Sequence, residues 1–146
     1  MPNRARRRVA AGDVVVSSIE GSLQSVALVT DEYDNALCST GFYVVRSERI
    51  NPETLLVLFK SEAYQNLFKQ ACTGTILTAM PKEFFGSIPV PIIDAGVQKT
   101  IAEKVQASFA ARCQSQHLLE LAKQTVERAI ESGEDEALRW LQTQLH

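Results

Sequence analysis

The chain has 146 residues, 45% apolar and 22% charged, values of ordinary globular domains that exclude disordered, collagen-like and low-complexity classes. Fifteen Lys and Arg against seventeen Asp and Glu give a formal charge of −2, so composition argues mildly against a nucleic-acid partner held by counterion release. The longest apolar run, Leu55 to Phe59, is too short for a bilayer, and no apolar segment follows the N-terminal arginines to make a secretory signal. A cytoplasmic protein with no membrane partner is therefore expected.

The first elements read as strands. Arg4, Arg6, Arg7 and Arg8 hold four of the nine arginines and read first as a solvated, frayed terminus. Gly12-Asp13 then introduces the β-branched run Val14-Val15-Val16. Val26 to Val29 and Phe42 to Val45 follow, separated by an acidic loop from Asp31 to Asn35. Three short runs with polar connections predict a small twisted, mainly antiparallel sheet.

The period changes at Asn51, a helix cap followed by Pro52 and Glu53, which suit a first turn. Leu55, Leu56, Phe59, Ala63, Leu67, Phe68 and Ala71 mark one apolar stripe, with Ser61 a point where the helix can divide. Gly74 stands where a left-handed cap would close it. A turn or short helix runs from Lys82 to Phe85. Ile88 to Ile92 alternates apolar residues with prolines, which confines it to an edge strand or an extended strap. From Ala95 to Glu131 no proline interrupts a helical stripe of Ile101, Val105, Phe109, Leu119, Ala122, Val126 and Ile130. A continuous helix there would run roughly 55 Å. A globular part of the preceding residues should be only about 30–35 Å across. The helix must then protrude, or bend back at its polar middle from Arg112 to His117, and its apolar face wants a partner surface. Gly133 interrupts before a last short helix containing Trp140. The fold class is α+β, with residues 1–94 forming the globular part and residues 95–146 a helical segment.

Catalytic chemistry is hard to assemble from these residues. Two histidines, His117 and His146, make a Ser–His–Asp arrangement improbable, and no phosphate-binding glycine motif or nucleophile elbow occurs. Cys38, Cys72 and Cys113 are too scattered for a zinc site or a disulfide framework and read as reduced, mostly buried thiols. No enzyme activity, catalytic residue, metal or cofactor is expected.

Several segments together resemble one family. Arg6-Arg7-Arg8-Val9 through Gly12-Asp13-Val14-Val15-Val16-Ser17 looks like an "R-x-V-x-x-G-D-hydrophobic-hydrophobic-x-S" element of type I restriction–modification specificity subunits. Cys38 to Arg46 is similar to their "S-T-G-F-x-V-L-R" strand. Pro52 to Leu56, Thr73-Gly74, Ile88-Pro89-Val90-Pro91 and Gln98 to Ala102 follow in the family's order. The last two resemble its "I-P-hydrophobic-P … Q-x-x-I-A" junction between recognition domain and helix. The family's recognition domain normally begins further upstream, and its full subunit has two such domains. The resemblance therefore covers the C-terminal part of one domain plus its helix, as in a fragment or reduced half-subunit.

What the resemblance implies is a non-catalytic part. The globular segment would bind one half of a split target in double-stranded DNA. The helix would act as a ruler and docking surface for modification subunits, which methylate adenine, in assemblies joined by a restriction subunit. Self-association through the helix is a further partnership. Thr73 and Thr75 match a DNA-facing loop, and Ser22 and Gln24 match another; as a helix cap and plain turn residues they are at least as well explained. Arg6, Arg7, Arg8 and Lys82 complete the expected DNA-binding set, although a lone surface lysine is more often a solvating charge. Arg46 is expected to bond the acidic loop inside the fold, and Phe109 and Trp140 to pack rather than stack on bases. Ile101, Val105, Phe109, Leu119, Val126 and Ile130 are the expected partner-helix interface. Two other readings compete: a helix-mediated oligomerisation protein without DNA affinity, and the detached end of a fused methyltransferase–specificity enzyme.

Overall fold

The computed structural model describes residues 5–72 and 78–145. It divides into two units, Met1–Glu103 and Lys104–His146.

The first unit is built around β2 (Val14–Ser17), which pairs antiparallel with β3 (Val26–Leu28) on one side and β5 (Phe42–Val45) on the other. Alternation along β2 turns Val14 and Val16 into the core, both fully buried, while Val15 is half-buried on the opposite face. The three runs expected from the sequence are therefore strands of one sheet. The arginine-rich terminus departs from expectation. Instead of fraying, β1 (Ala5–Arg8) pairs antiparallel with β4 (Leu37–Ser39), from Ala5↔Ser39 to Arg8↔Leu37. Two side chains add to the ladder: the Arg7 guanidinium donates to the Phe42 carbonyl at 2.9 Å, and that of Arg8 to the Asn35 carbonyl at 3.3 Å.

The Gly-Asp element joins these ladders. Gly12 takes a φ of +86°, a left-handed turn that a side chain would strain. Asp13, 1% exposed, accepts from Arg46 Nε at 2.7 Å, Arg46 Nη2 at 2.9 Å and the Ala10 amide at 2.9 Å. Arg46 thus pairs with Asp13 and not with the acidic loop, because Val14↔Val45 register sets the two residues side by side. The Arg46 hydrogen bond holds the Asp13 carboxyl below the usual carboxylate range, against burial, which pushes it up. A depressed folded value means stability that is complete above the unfolded value and lost as pH falls through the folded one. Unfolding midpoints of the wild type should therefore fall below about pH 4. In Asp13→Asn, which is less stable at neutral pH, that acid slope should be shallower; equal slopes would assign the acid sensitivity elsewhere.

Helices cover one face of the sheet. Asn51 Oδ1 accepts from the Thr54 amide at 2.8 Å and caps α1 (Pro52–Lys60), with Pro52 in the first turn. Ser61 divides the helical stretch: its ψ of 150° ends α1 and starts α2 (Glu62–Ala71). The break resets the helical phase, so Tyr64 and Phe68 point inward, while Ala63 is exposed and Leu67 only half-buried. Phe68 is the centre of an aromatic cluster with Phe59, Tyr64 and Phe85, their centroids 6.0–6.1 Å from its own. α2 ends at Ala71; the cap expected at Gly74 lies outside the described residues. After α3 (Lys82–Ser87), the proline-rich segment is an extended strap, held where the Tyr64 hydroxyl donates to the Pro89 carbonyl at 2.6 Å.

α4 (Ala95–Ser132) is one helix of 38 residues, unbroken through its polar middle. Gln98, in its first turn, is 8% exposed and accepts from the Asn51 amide at 2.8 Å. Its Nε2 donates to the carbonyls of Ile93 at 2.8 Å and Arg49 at 3.1 Å, and Asn51 Nδ2 returns a bond to the Gln98 carbonyl at 3.0 Å. This net ties the start of α4 to the cap of α1.

In the second unit, Gly133 at φ +95° separates α4 from α5 (Glu134–Gln144). Leu121 and Ala137 are buried, and the Arg128 guanidinium lies 4.4 Å from the Trp140 ring centroid, so α5 packs back along α4. Trp140 is a packing residue, as expected. The cysteines are not: Cys113 is exposed on the polar stretch of α4, and Cys38 and Cys72 are only half-buried free thiols. No described helix is long and apolar enough to cross a membrane.

Candidate nucleic-acid interface

Where β2 ends, the chain turns on hydroxyls. Ser17 and Ser22 share a hydrogen bond at 2.7 Å, and Ser17 also accepts from the Ile19 amide at 3.3 Å. A 3-10 turn, Glu20–Ser22, follows, in which the Ser22 hydroxyl also faces the Ile19 carbonyl at 3.3 Å. The segment after the undescribed residues 73–77 clamps this turn from outside. Thr78 accepts from the Glu20 amide at 3.0 Å, its hydroxyl donates to the Glu20 carboxylate, and the Met80 amide donates to Ser18 at 2.7 Å. On the other flank, α2 contributes Gln65, whose Nε2 donates both to Leu23 at 3.1 Å and to Phe59 at 2.7 Å. Between turn and helix lies an open cleft of about 380 Å³, lined by Glu20, Gly21, Gln24, Gln65, Asn66 and Lys69 among others.

A second cleft, of about 340 Å³, brings Arg7 and Lys82 onto one rim with Tyr43 and Phe85. Tyr43 stacks on Phe85, centroids 4.6 Å apart, and donates to the Met80 carbonyl at 2.6 Å. Burial pushes its phenol up, so it remains a donor at neutral pH. Thr78 borders the turn of the first cleft and Lys82 lines the second. Lys82 follows Thr78 by four positions, at most about 14 Å of chain.

The expected DNA-binding residues are thus distributed. Gln24 lines the first cleft with an exposed side chain, and Arg7 and Lys82 share the second. Ser22 is committed to holding its own turn, and Arg8 reaches back to the loop at Asn35. The Arg6 side chain, Thr73 and Thr75 lie outside the described residues. Asn66 and Lys69 went unnoticed in the sequence, where polar residues on a helix look like any solvated face; only the phase set by Ser61 turns them to the cleft. Among the described residues no group of three or more His, Cys, Asp and Glu is placed to hold a metal ion.

The residues of the expected helix interface differ in exposure. Ile101 and Val105 are half-buried and Phe109 is 36% exposed. Leu119 and Val126 are each 60% exposed and Ile130 80%. At 100° per residue these last three lie within about 40° of one another, and Leu121, buried, lies about 160° round the helix from Leu119. One face of α4 takes α5, and the opposite face carries an apolar stripe with nothing from its own unit on it.

No protein-family model and no curated protein matches the chain. Solved structures do. A chain in a structure of a type I restriction–modification system, described for its assembly and conformational transition, superposes with a TM-score of 0.63 at 28% identity, covering 89% of this chain. The HsdS subunit from Thermoanaerobacter tengcongensis gives a TM-score of 0.61 at 27% identity over the same share. This chain spans 34% of the length of each of those chains. The resemblance read from the Gly-Asp, strand and junction motifs is therefore matched in three dimensions: the chain is similar to part of a type I restriction–modification specificity subunit.

Proposed function

We propose that the chain is a non-catalytic DNA-specificity component of a type I restriction–modification system, in the form of a half-subunit or part of a larger subunit. The likeness to the solved specificity subunits carries this reading. In it, residues 1–94 bind double-stranded DNA in the cytoplasm. Residues 95–146 dock adenine methyltransferase subunits along the stripe of Leu119, Val126 and Ile130, in assemblies that a restriction subunit joins. Arg7 and Lys82 are two of the phosphate contacts, since both are exposed cations lining one cleft and the Arg7 guanidinium has N–H donors beyond the one bonded to the Phe42 carbonyl.

Few cations are available, so binding by the isolated chain should be salt-sensitive but modest. Contact with about four phosphates gives a slope of log affinity against log salt near −3 to −4. Replacing Arg7 and Lys82 together with alanine should make that slope shallower by about 2 and weaken binding equally on unrelated duplexes. Fluorescence anisotropy on two labelled duplexes over a salt series measures both quantities. An unchanged slope, or a loss confined to one duplex, would remove these two residues from the phosphate-binding set.

The same exposed stripe also suits self-association of a protein without DNA affinity. Concentration-dependent sedimentation combined with no DNA binding at low salt would favour that second reading.

A further inference from the structure

We infer that the cleft between the Glu20–Ser22 turn and α2 reads base edges, with the amides of Gln24 and Asn66 as the specificity-determining groups. The inference rests on the DNA-binding reading and assigns a task within it. Its ground is the chemistry of the cleft wall. Glu20 and Lys69 are the ionisable residues of its lining and carry opposite charges, so the cleft has no cationic surplus to hold phosphate. The carboxylate would repel phosphate, whereas at a base edge it can accept from the amino group of cytosine.

Gln24 and Asn66 are exposed, and neither side chain finds a hydrogen-bond partner among the described residues. A free carboxamide offers one donor and one acceptor side by side, the pattern that pairs with N6 and N7 of adenine in the major groove. Gln65 differs. Both hydrogen bonds of its Nε2 are internal, to Leu23 on the turn and Phe59 on α1, so it is a positioning residue that fixes the spacing of the two walls. Gly21 is open to the cleft: a Cβ built there meets nothing within 4 Å and its φ is not left-handed. Neither packing nor backbone conformation reserves that position for glycine, so bulk added there fills the cleft without disturbing the fold. The cations Arg7 and Lys82 lie around the separate cleft. Attraction and readout are thus assigned to different residues and can be separated by mutation.

The test uses the full chain and a duplex library with a randomised core, selected at 50 mM salt. The wild type should enrich a core containing adenine and bind it more tightly than single-pair variants by about five- to 150-fold, the range of one good bidentate contact. Gln24→Ala and Asn66→Ala should each bring discrimination at one base pair below about threefold, while the slope of log affinity against log salt and the thermal midpoint stay unchanged. Gly21→Leu should fold normally and weaken binding to the selected core at least about fivefold. Retention of full discrimination by both alanine variants, or wild-type binding by Gly21→Leu, would overturn the inference and leave DNA binding standing. Binding without any enriched core would do the same. No binding by the wild type at all would overturn this inference and the proposed function together.

Discussion

Phe68→Ala is expected to destabilise the first unit by about 3–5 kcal/mol, the cost of emptying a large buried aromatic site. Phe68 is fully buried and touches rings on three elements: Phe59 on α1, Tyr64 on α2 and Phe85 on α3. Truncation removes its transfer free energy and leaves a cavity that those rings cannot close, because each has a further constraint. The Tyr64 hydroxyl is tied to Pro89, and Phe85 is stacked on Tyr43. A domain has only about 5–15 kcal/mol of stability in all. With a urea dependence of about 2 kcal/mol per molar, the midpoint should move down by about 2 M. Far-UV circular dichroism in urea gives the value. A shift under about 0.5 M would mean that the cluster is not the packing centre of this unit.

Gln98→Ala should cost about 2–4 kcal/mol, more than a surface change on a helix first turn would suggest. The loss strips partners from the Asn51 amide and from the carbonyls of Arg49 and Ile93, and buried polar groups left unpaired cost about 1–3 kcal/mol each. Water entering the space would recover part of that. Asn51→Ala removes the α1 cap as well as the bond returned to the Gln98 carbonyl. The two substitutions share a network, so their effects should be non-additive by more than about 0.5 kcal/mol. Strict additivity in a double-mutant cycle would show that Gln98 and Asn51 act separately, and that α4 is held to the body by something else.

These two residues also show what the sequence could and could not convey. Phe68 stood out as a member of an apolar stripe, but Tyr64 did not, because the stripe was extended in one phase through Ser61. A two-helix reading with a reset at that serine recovers the observed burial. Gln98 was visible only through a junction motif shared with a family; nothing in its own surroundings announces side-chain bonds to Asn51 and Arg49, 47 and 49 positions away. Asp13 was similar. Its role as a turn residue was legible, and its pairing with Arg46 required the register of β2 against β5. The arginine cluster reads as a frayed terminus because a four-residue strand has no periodicity, and its partner β4 lies in a segment of mixed polarity. The long helix and its apolar stripe were plain from their spacing. That the stretch from Leu119 to Ile130 stays open depends on α5 folding back at Gly133 onto the opposite face, where Leu121 is buried.

The most direct test of the account is a titration of labelled duplex DNA with the intact wild-type chain at 50 and 200 mM salt. Binding at the lower salt should show a dissociation constant of about 10⁻⁴ M or tighter, weakening by about 60- to 250-fold at the higher, the change for a slope of −3 to −4. Absence of binding at 50 mM salt, or an affinity indifferent to salt, would contradict a role in DNA recognition.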